Sequence, residues 1–137
     1  MKFATRLDAV VKIREKDEEQ ARRVLADAQR QAEAARQAAE EARERARHDG
    51  RAPGLASQWD LADSANARAL QEASVADQKV QAAGDHLNKS QQKYAGAYRR
   101  AEVIRRVATA RRSELMAQAA AVERKQFDEL SVLLHVR

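Results

Sequence analysis

Cysteine is absent from this 137-residue chain, which excludes disulfides and thiolate metal sites and fits a reducing compartment. Aromatic residues make up only 4% of it, and there is one proline and four glycines. So few large side chains exclude a wide core. Apolar content still reaches 44%, mainly through alanine, a strong helix former that buries little surface. That composition suits long helices packed side by side, because alanine lets their axes approach closely. No apolar run has the length a membrane span requires. Charges at Lys2, Arg6, Asp8 and Lys12 break up the first dozen residues, so no secretory signal is read there. The expectation is a soluble, cytoplasmic chain with no membrane insertion.

What is abundant is charge: 26 lysines and arginines against 21 acids, a formal net charge of +5. The excess lies in the last third, where RRAEVIRRVATARR, residues 99–112, places six arginines in three adjacent pairs around one acid, Glu102.

Two long stretches carry a hydrophobic period of 3.5 residues, the mark of a coiled-coil seam. In the first half the seam reads Ala4, Leu7, Val11, Arg14, Glu18, Ala21, Leu25, Ala28, Ala32, Ala35, Ala39, Ala42 and Ala46. Only Arg14 and Glu18 are polar, one turn apart, and they are read as setting register. In the second half it runs Ala69, Ala73, Ala76, Val80, Ala83, Leu87, Ser90, Tyr94, Ala97, Ala101, Ile104, Ala108, Arg111, Leu115, Gln118 and Val122. Beyond Val122 the stripe shifts to Phe127, Leu130 and Leu134. Gly84 and Gly96 lie inside this run, each costing about 1 kcal/mol of helix propensity against alanine, without demanding a break.

Between the runs, HDGRAPGLASQWD (residues 48–60) gathers Gly50, Pro53 and Gly54 into the one strong turn signal. Ser57 followed by Asp60 resembles a capping box, so a second helix is expected to begin there. The fold class is therefore all-α: an antiparallel two-helix coiled-coil hairpin with an overhanging C-terminal helix. It forms a single domain over 1–137, with helix one at about 3–48, a turn at about 49–57 and helix two at about 58–135. The helices would span roughly 70 Å and 115 Å. Pairing outward from the turn sets Ala4 beside Ala101 or Ile104 and leaves on the order of 30 residues of helix two without a partner. The arginine pairs would then mark the start of the protrusion.

An overhang bearing Leu115, Met116, Val122, Phe127, Leu130, Leu133 and Leu134 calls for a partner. The arginine pairs recur every six residues, so each is turned by about 120° from the last and together they encircle the helix. A groove-reading helix would gather its cations on one face, and Tyr94 and Tyr98 are the only rings nearby, so nucleic acid is not expected. Polar and apolar faces are too mixed for a membrane surface. A solvated face, helped by cations toward a helix C-terminus, is the plain alternative to a post surrounded by partner protein.

Catalysis needs groups converging in a concave site, which two packed helices do not provide, so the chain is read as no enzyme. Glu40, Glu41 and Glu44 read as a solvated face. His48, His86 and His135 are scattered without zinc-ligand spacing. There is no glycine-rich phosphate loop, and no cofactor is expected.

The opening FATRLDAVVKIREKDEEQA, through Phe3, Arg6, Leu7, Val10 or Val11, Arg14, Glu15 and Glu18, resembles the start of the FliJ family, cytoplasmic components of the bacterial flagellar type III export apparatus. The tail ERKQFDEL, through Glu123, Arg124, Lys125, Asp128, Glu129 and Leu130, resembles that family's C-terminal signature. The resemblance implies an antiparallel coiled coil similar to the central stalk of rotary ATPases, shared with an injectisome counterpart. It implies a place at the inner membrane, in the pore of the hexameric export ATPase. The stalk would promote that ATPase's assembly and link it to the transmembrane export gate protein, with export chaperones as further partners. On this reading the ATPase-binding residues are Arg99, Arg100, Arg105, Arg106, Arg111, Arg112, Arg124 and Lys125, with Phe127 and Leu130 as apolar anchors. At the hairpin tip Leu55, Trp59 and Leu61 are the candidates for the gate, with Trp59 read equally as a cap over the last seam layer. The reading from a different class is a basic coiled-coil module that self-associates or binds nucleic acid.

Overall fold

The computed structural model describes residues 5–48 and 56–136, and they form two α-helices: α1, Arg6–Arg47, and α2, Ala56–His135. There is no strand among them, and the helices pack against one another as a hairpin. Local chemistry sets the start of α1. Thr5 precedes the first helical residue, and its backbone N–H donates to Asp8 Oδ2 at 2.8 Å. The Asp8 N–H in turn donates to the Thr5 carbonyl at 3.0 Å. This satisfies donors that a helix N-terminus otherwise leaves unpaired. At the other end Arg45 and Arg47 lie in the last turn, where cations suit the helix dipole. Helix α2 begins at Ala56, one residue ahead of Ser57, and runs unbroken through Gly84 and Gly96. Gly50, Pro53 and Gly54 lie outside the described residues.

The chain divides into two compact units, Met1–Gln20 with Ala95–Arg137, and Ala21–Tyr94. In the second unit the buried residues are Ala28, Ala32, Ala39, Ala42 and Ser90. In the first they are Ala97, Ala101, Ala108 and Glu18. Every one is a seam position. The α1 seam is buried or half-buried from Leu7 to Ala46, while the outward positions are mostly exposed. Among the described residues no large side chain is fully buried, so the fully buried core is mainly a file of alanine methyl groups, with Leu25, Leu87, Tyr94 and Ile104 half-buried at seam positions between them. Each buried methyl contributes only about 0.8 kcal/mol, and the close approach of alanine backbones supplies the rest through dispersion.

The pairing register differs from the one expected. In the first unit Asp8 meets Arg112 across a sequence separation of 104, and Glu18 meets Arg105 across 87, the shrinking interval of an antiparallel pair. Ala4 lies outside the described residues, but these pairs displace α2 by about two heptads from the alignment of Ala4 with Ala101 or Ile104. The second unit shows why. Arg43 pairs with Asp77, which sets Arg47 opposite Ala73, so the first turns of α2 run on past the end of α1. Counting outward from the turn therefore misplaces the layers fixed by these pairs.

Candidate functional site

The register decides what the six arginines of residues 99–112 do. Arg105 points at α1. Its guanidinium pairs with the buried Glu18, lies 3.4 Å from Glu15 Oε1, and donates to Glu102 Oε2 at 3.0 Å. Burial by itself lowers the Arg105 pKa, but Glu18 and Glu102 outweigh it and leave the pKa raised. One heptad on, Arg112 donates to Asp8 Oδ1 at 2.8 Å. The Asp8 carboxyl is held below its ordinary pKa, first by the Thr5 N–H and then, against the opposing effect of burial, by Arg112. Asp8 therefore caps α1 with one oxygen and ties it to α2 with the other. The hydroxyl of Thr5 is buried with no hydrogen-bond partner.

These two arginines are committed to the hairpin, so the cationic belt is not free around its circumference as the sequence suggested. At the level of Arg105 and Arg112, α1 occupies part of that circumference. The paired helices continue through the arginine segment, which therefore does not begin the protrusion.

The other four turn outward. Arg106 is bound to Glu102 at 3.2 Å with 79% of its side chain exposed. Arg111 reaches Glu114 at 3.0 Å on its own helix. Arg99 Nε donates to the Ala95 carbonyl at 3.3 Å. Arg100 lies over Gly96, whose missing side chain leaves room for the guanidinium. Arg99 and Arg100 also line a groove with Arg14, Val103 and Ile104.

Past Arg112 the seam of α2 opens: among the described residues Gln118 and Val122 are exposed, as is Arg111 just before, while Leu115 stays half-buried. Phe127 and Leu134 are 73% and 76% exposed, and Met116, Leu130, Val132 and Leu133 are more than half exposed. Arg124 Nε donates to the Ala120 carbonyl at 3.3 Å, and Lys125 lies on the surface beside Asp128 and Glu129.

In the second unit, Leu55 lies outside the described residues. Trp59 is half exposed and Leu61 largely so. Leu61 lines a shallow groove with Glu44, Arg45, His48, Gln58 and Ala65. Glu40 and Glu44 are exposed and bind Arg43 and Arg47 of their own helix. Among the described residues no three of His, Cys, Asp or Glu are grouped to hold a metal ion. No helix of the described residues is long and apolar enough to cross a membrane.

Sequence reasoning missed two features. One is the cap, although Thr5-x-x-Asp8 carries the same signal read at Ser57 and Asp60. The other is the exposure of Val10, Ile13, Val103 and Val107 in the first unit, visible in the sequence as branched residues off the seam.

No curated protein and no solved structure matches the chain. The family of flagellar FliJ proteins does, over residues 1–137, the whole of the sequence. Its members are non-enzymatic parts of the flagellar export apparatus, and a helical hairpin with a bare C-terminal stretch is in keeping with that. The chain belongs to the flagellar FliJ protein family and is a component of the flagellar export apparatus.

Proposed function

We propose that this protein is the stalk of the export machine: it seats its C-terminal residues in the hexameric export ATPase, promotes assembly of the hexamer, and links it to the transmembrane export gate. The observation that carries this reading is the run of exposed apolar residues from Met116 to Leu134 on α2. Such a stripe is stable in water only at a cost, and a partner socket removes it. Phe127 and Leu130 are the anchors, and Arg106, Arg111, Arg124 and Lys125 are the outward cations available to the ATPase. Arg105 and Arg112 act within the hairpin, holding the N-terminal end of α1 to α2, and Arg99 and Arg100 belong to the groove with Arg14.

Trp59 and Leu61, with Leu55, remain the candidates for the gate, and export chaperones are further partners. Place and task agree: a peripheral protein on the cytoplasmic side of the inner membrane. The flagellar form of the machine is favoured over the injectisome form by the family match. No phosphate loop or catalytic cluster is needed, since nucleotide hydrolysis belongs to the ATPase.

The test is stimulation and hexamer assembly of the purified export ATPase by the full chain. The variant Phe127→Ser with Leu130→Ser is expected to abolish both while leaving the melting curve unchanged, because both residues are exposed and surface substitutions change stability by about 0.5 kcal/mol or less. Full stimulation by that variant would refute the seating.

A further inference from the structure

The two flanks of the seam in the first unit differ in kind, and the difference assigns a second interface. On one flank the charges are neutralised internally: Asp8 by Arg112, and Glu15 and Glu18 by Arg105. Arg105 and Arg112 are heptad-spaced, so they share that flank. Arg100 and Val107 are also heptad-spaced, and they occupy the opposite flank. There the groove has a floor of Val103 and Ile104 and a rim of Arg14, Arg99 and Arg100. Val103 is 58% exposed and Val107 47%. On α1, Val10 lies one heptad before Asp17, on this flank, and Val10 and Ile13 are 36% and 57% exposed. The acids on this flank are themselves held by arginines: Asp17 lies 3.5 Å from Arg14, and Glu114, one heptad past Val107, is bound by Arg111 at 3.0 Å.

We infer that this flank is a docking face for an acidic amphipathic helix of a partner protein. The floor is branched aliphatic, which suits a leucine-type stripe presented at helical spacing. The rim is an arginine cluster, whose planar guanidinium groups pair with carboxylates in two-point contacts. A partner with acids beside its apolar stripe satisfies both at once. A second copy of this chain does not, because a two-fold contact would set one arginine rim against another. Nucleic acid would leave the valines and Ile13 uncovered, and among the described residues Tyr98 is the exposed ring of this segment. This inference does not rest on the ATPase reading, which uses the C-terminal residues, so either can fail alone.

The experiment measures binding of labelled synthetic helices to the full-length protein by fluorescence anisotropy. One peptide carries a leucine stripe flanked by glutamates, and a second carries the same stripe flanked by lysines. The glutamate peptide is expected to bind and the lysine peptide not to. Val103→Asp with Val107→Asp is expected to weaken binding about tenfold or more, while circular dichroism shows the helices intact. Arg99→Glu with Arg100→Glu is expected to transfer preference to the lysine peptide. Phe127→Ser with Leu130→Ser is expected to change nothing, which separates this face from the ATPase contact. Equal binding of the two peptides, or binding that survives the aspartate pair, overturns the proposal. So does displacement of the glutamate peptide by a DNA oligonucleotide, or a concentration-dependent dimer that the aspartate pair dissolves.

Discussion

Replacing two alanines of α1 by glycine separates the seam from the surface at constant chemistry. Ala32 and Ala39 are 4% and 1% exposed, whereas Ala34 and Ala38 lie exposed on the same helix. Each alanine-to-glycine change costs about 1 kcal/mol of helix propensity wherever it sits in a helix interior. The exposed pair, Ala34→Gly with Ala38→Gly, should therefore lose about 2 kcal/mol. The seam pair, Ala32→Gly with Ala39→Gly, also loses two buried methyl groups at about 0.8 kcal/mol each, plus a term for the space left behind. Its loss should be about 4 kcal/mol. Urea unfolding followed by far-ultraviolet circular dichroism reads both values, with the slope of the transition compared between variants to confirm an unchanged unfolded state. Equal losses would mean that Ala32 and Ala39 do not face a closed interface. A larger loss from the exposed pair would refute the register itself.

Acid should fray the start of α1. The Asp8 pKa is lowered by folding from about 3.8, so its contribution is complete above the unfolded value and is lost as pH falls through the folded one. Amide exchange at the first turn should accelerate below about pH 4, and Asp8→Asn should remove that dependence. Gly84→Ala should stabilise the protein by about 1 kcal/mol, since an added methyl at Gly84 meets nothing within 4 Å, and a fall in the urea midpoint would contradict this. Exchanging Arg43 and Asp77 should restore a melting temperature that either reversal alone lowers, and a double variant as weak as the singles would show that the pair does not couple the helices. Arg105→Glu should lower the melting temperature and Arg106→Glu should not, because only the first faces the buried Glu18.

The fold was legible because its signals repeat. A period of 3.5 survives any single exception, and the stripe from Leu7 to Ala46 is the buried stripe of α1. Register was not legible, for a reason that lies in the same residues. An alanine file looks alike to its partner after a shift of one or two heptads, so packing alone discriminates weakly between alignments. The choice falls to flanking and buried charges: Glu18 and Glu15 with Arg105, Asp8 with Arg112, and Arg43 with Asp77. Each is an ordinary charged residue in sequence until its opposite number is known. The arginine segment was conspicuous for the same reason that its roles were hidden. Spacing showed that the pairs turn around α2, but which turn meets α1 depends on register. The C-terminal apolar run, by contrast, could be read directly, because Phe127 to Leu134 lie two heptads or more past the Arg112 that meets Asp8 and are exposed.

A file of methyl groups grips by area and has almost no relief. Lateral shear between α1 and α2 therefore meets little resistance from the core and is checked at a few ionic catches, chief among them Arg105 of α2 with Glu15 and Glu18 of α1. Such catches weaken with ionic strength while the methyl contact does not. Concentrated salt should thus free the helices to slip in whole heptads before it separates them, giving the hairpin a mode of yielding that a leucine-packed coiled coil lacks.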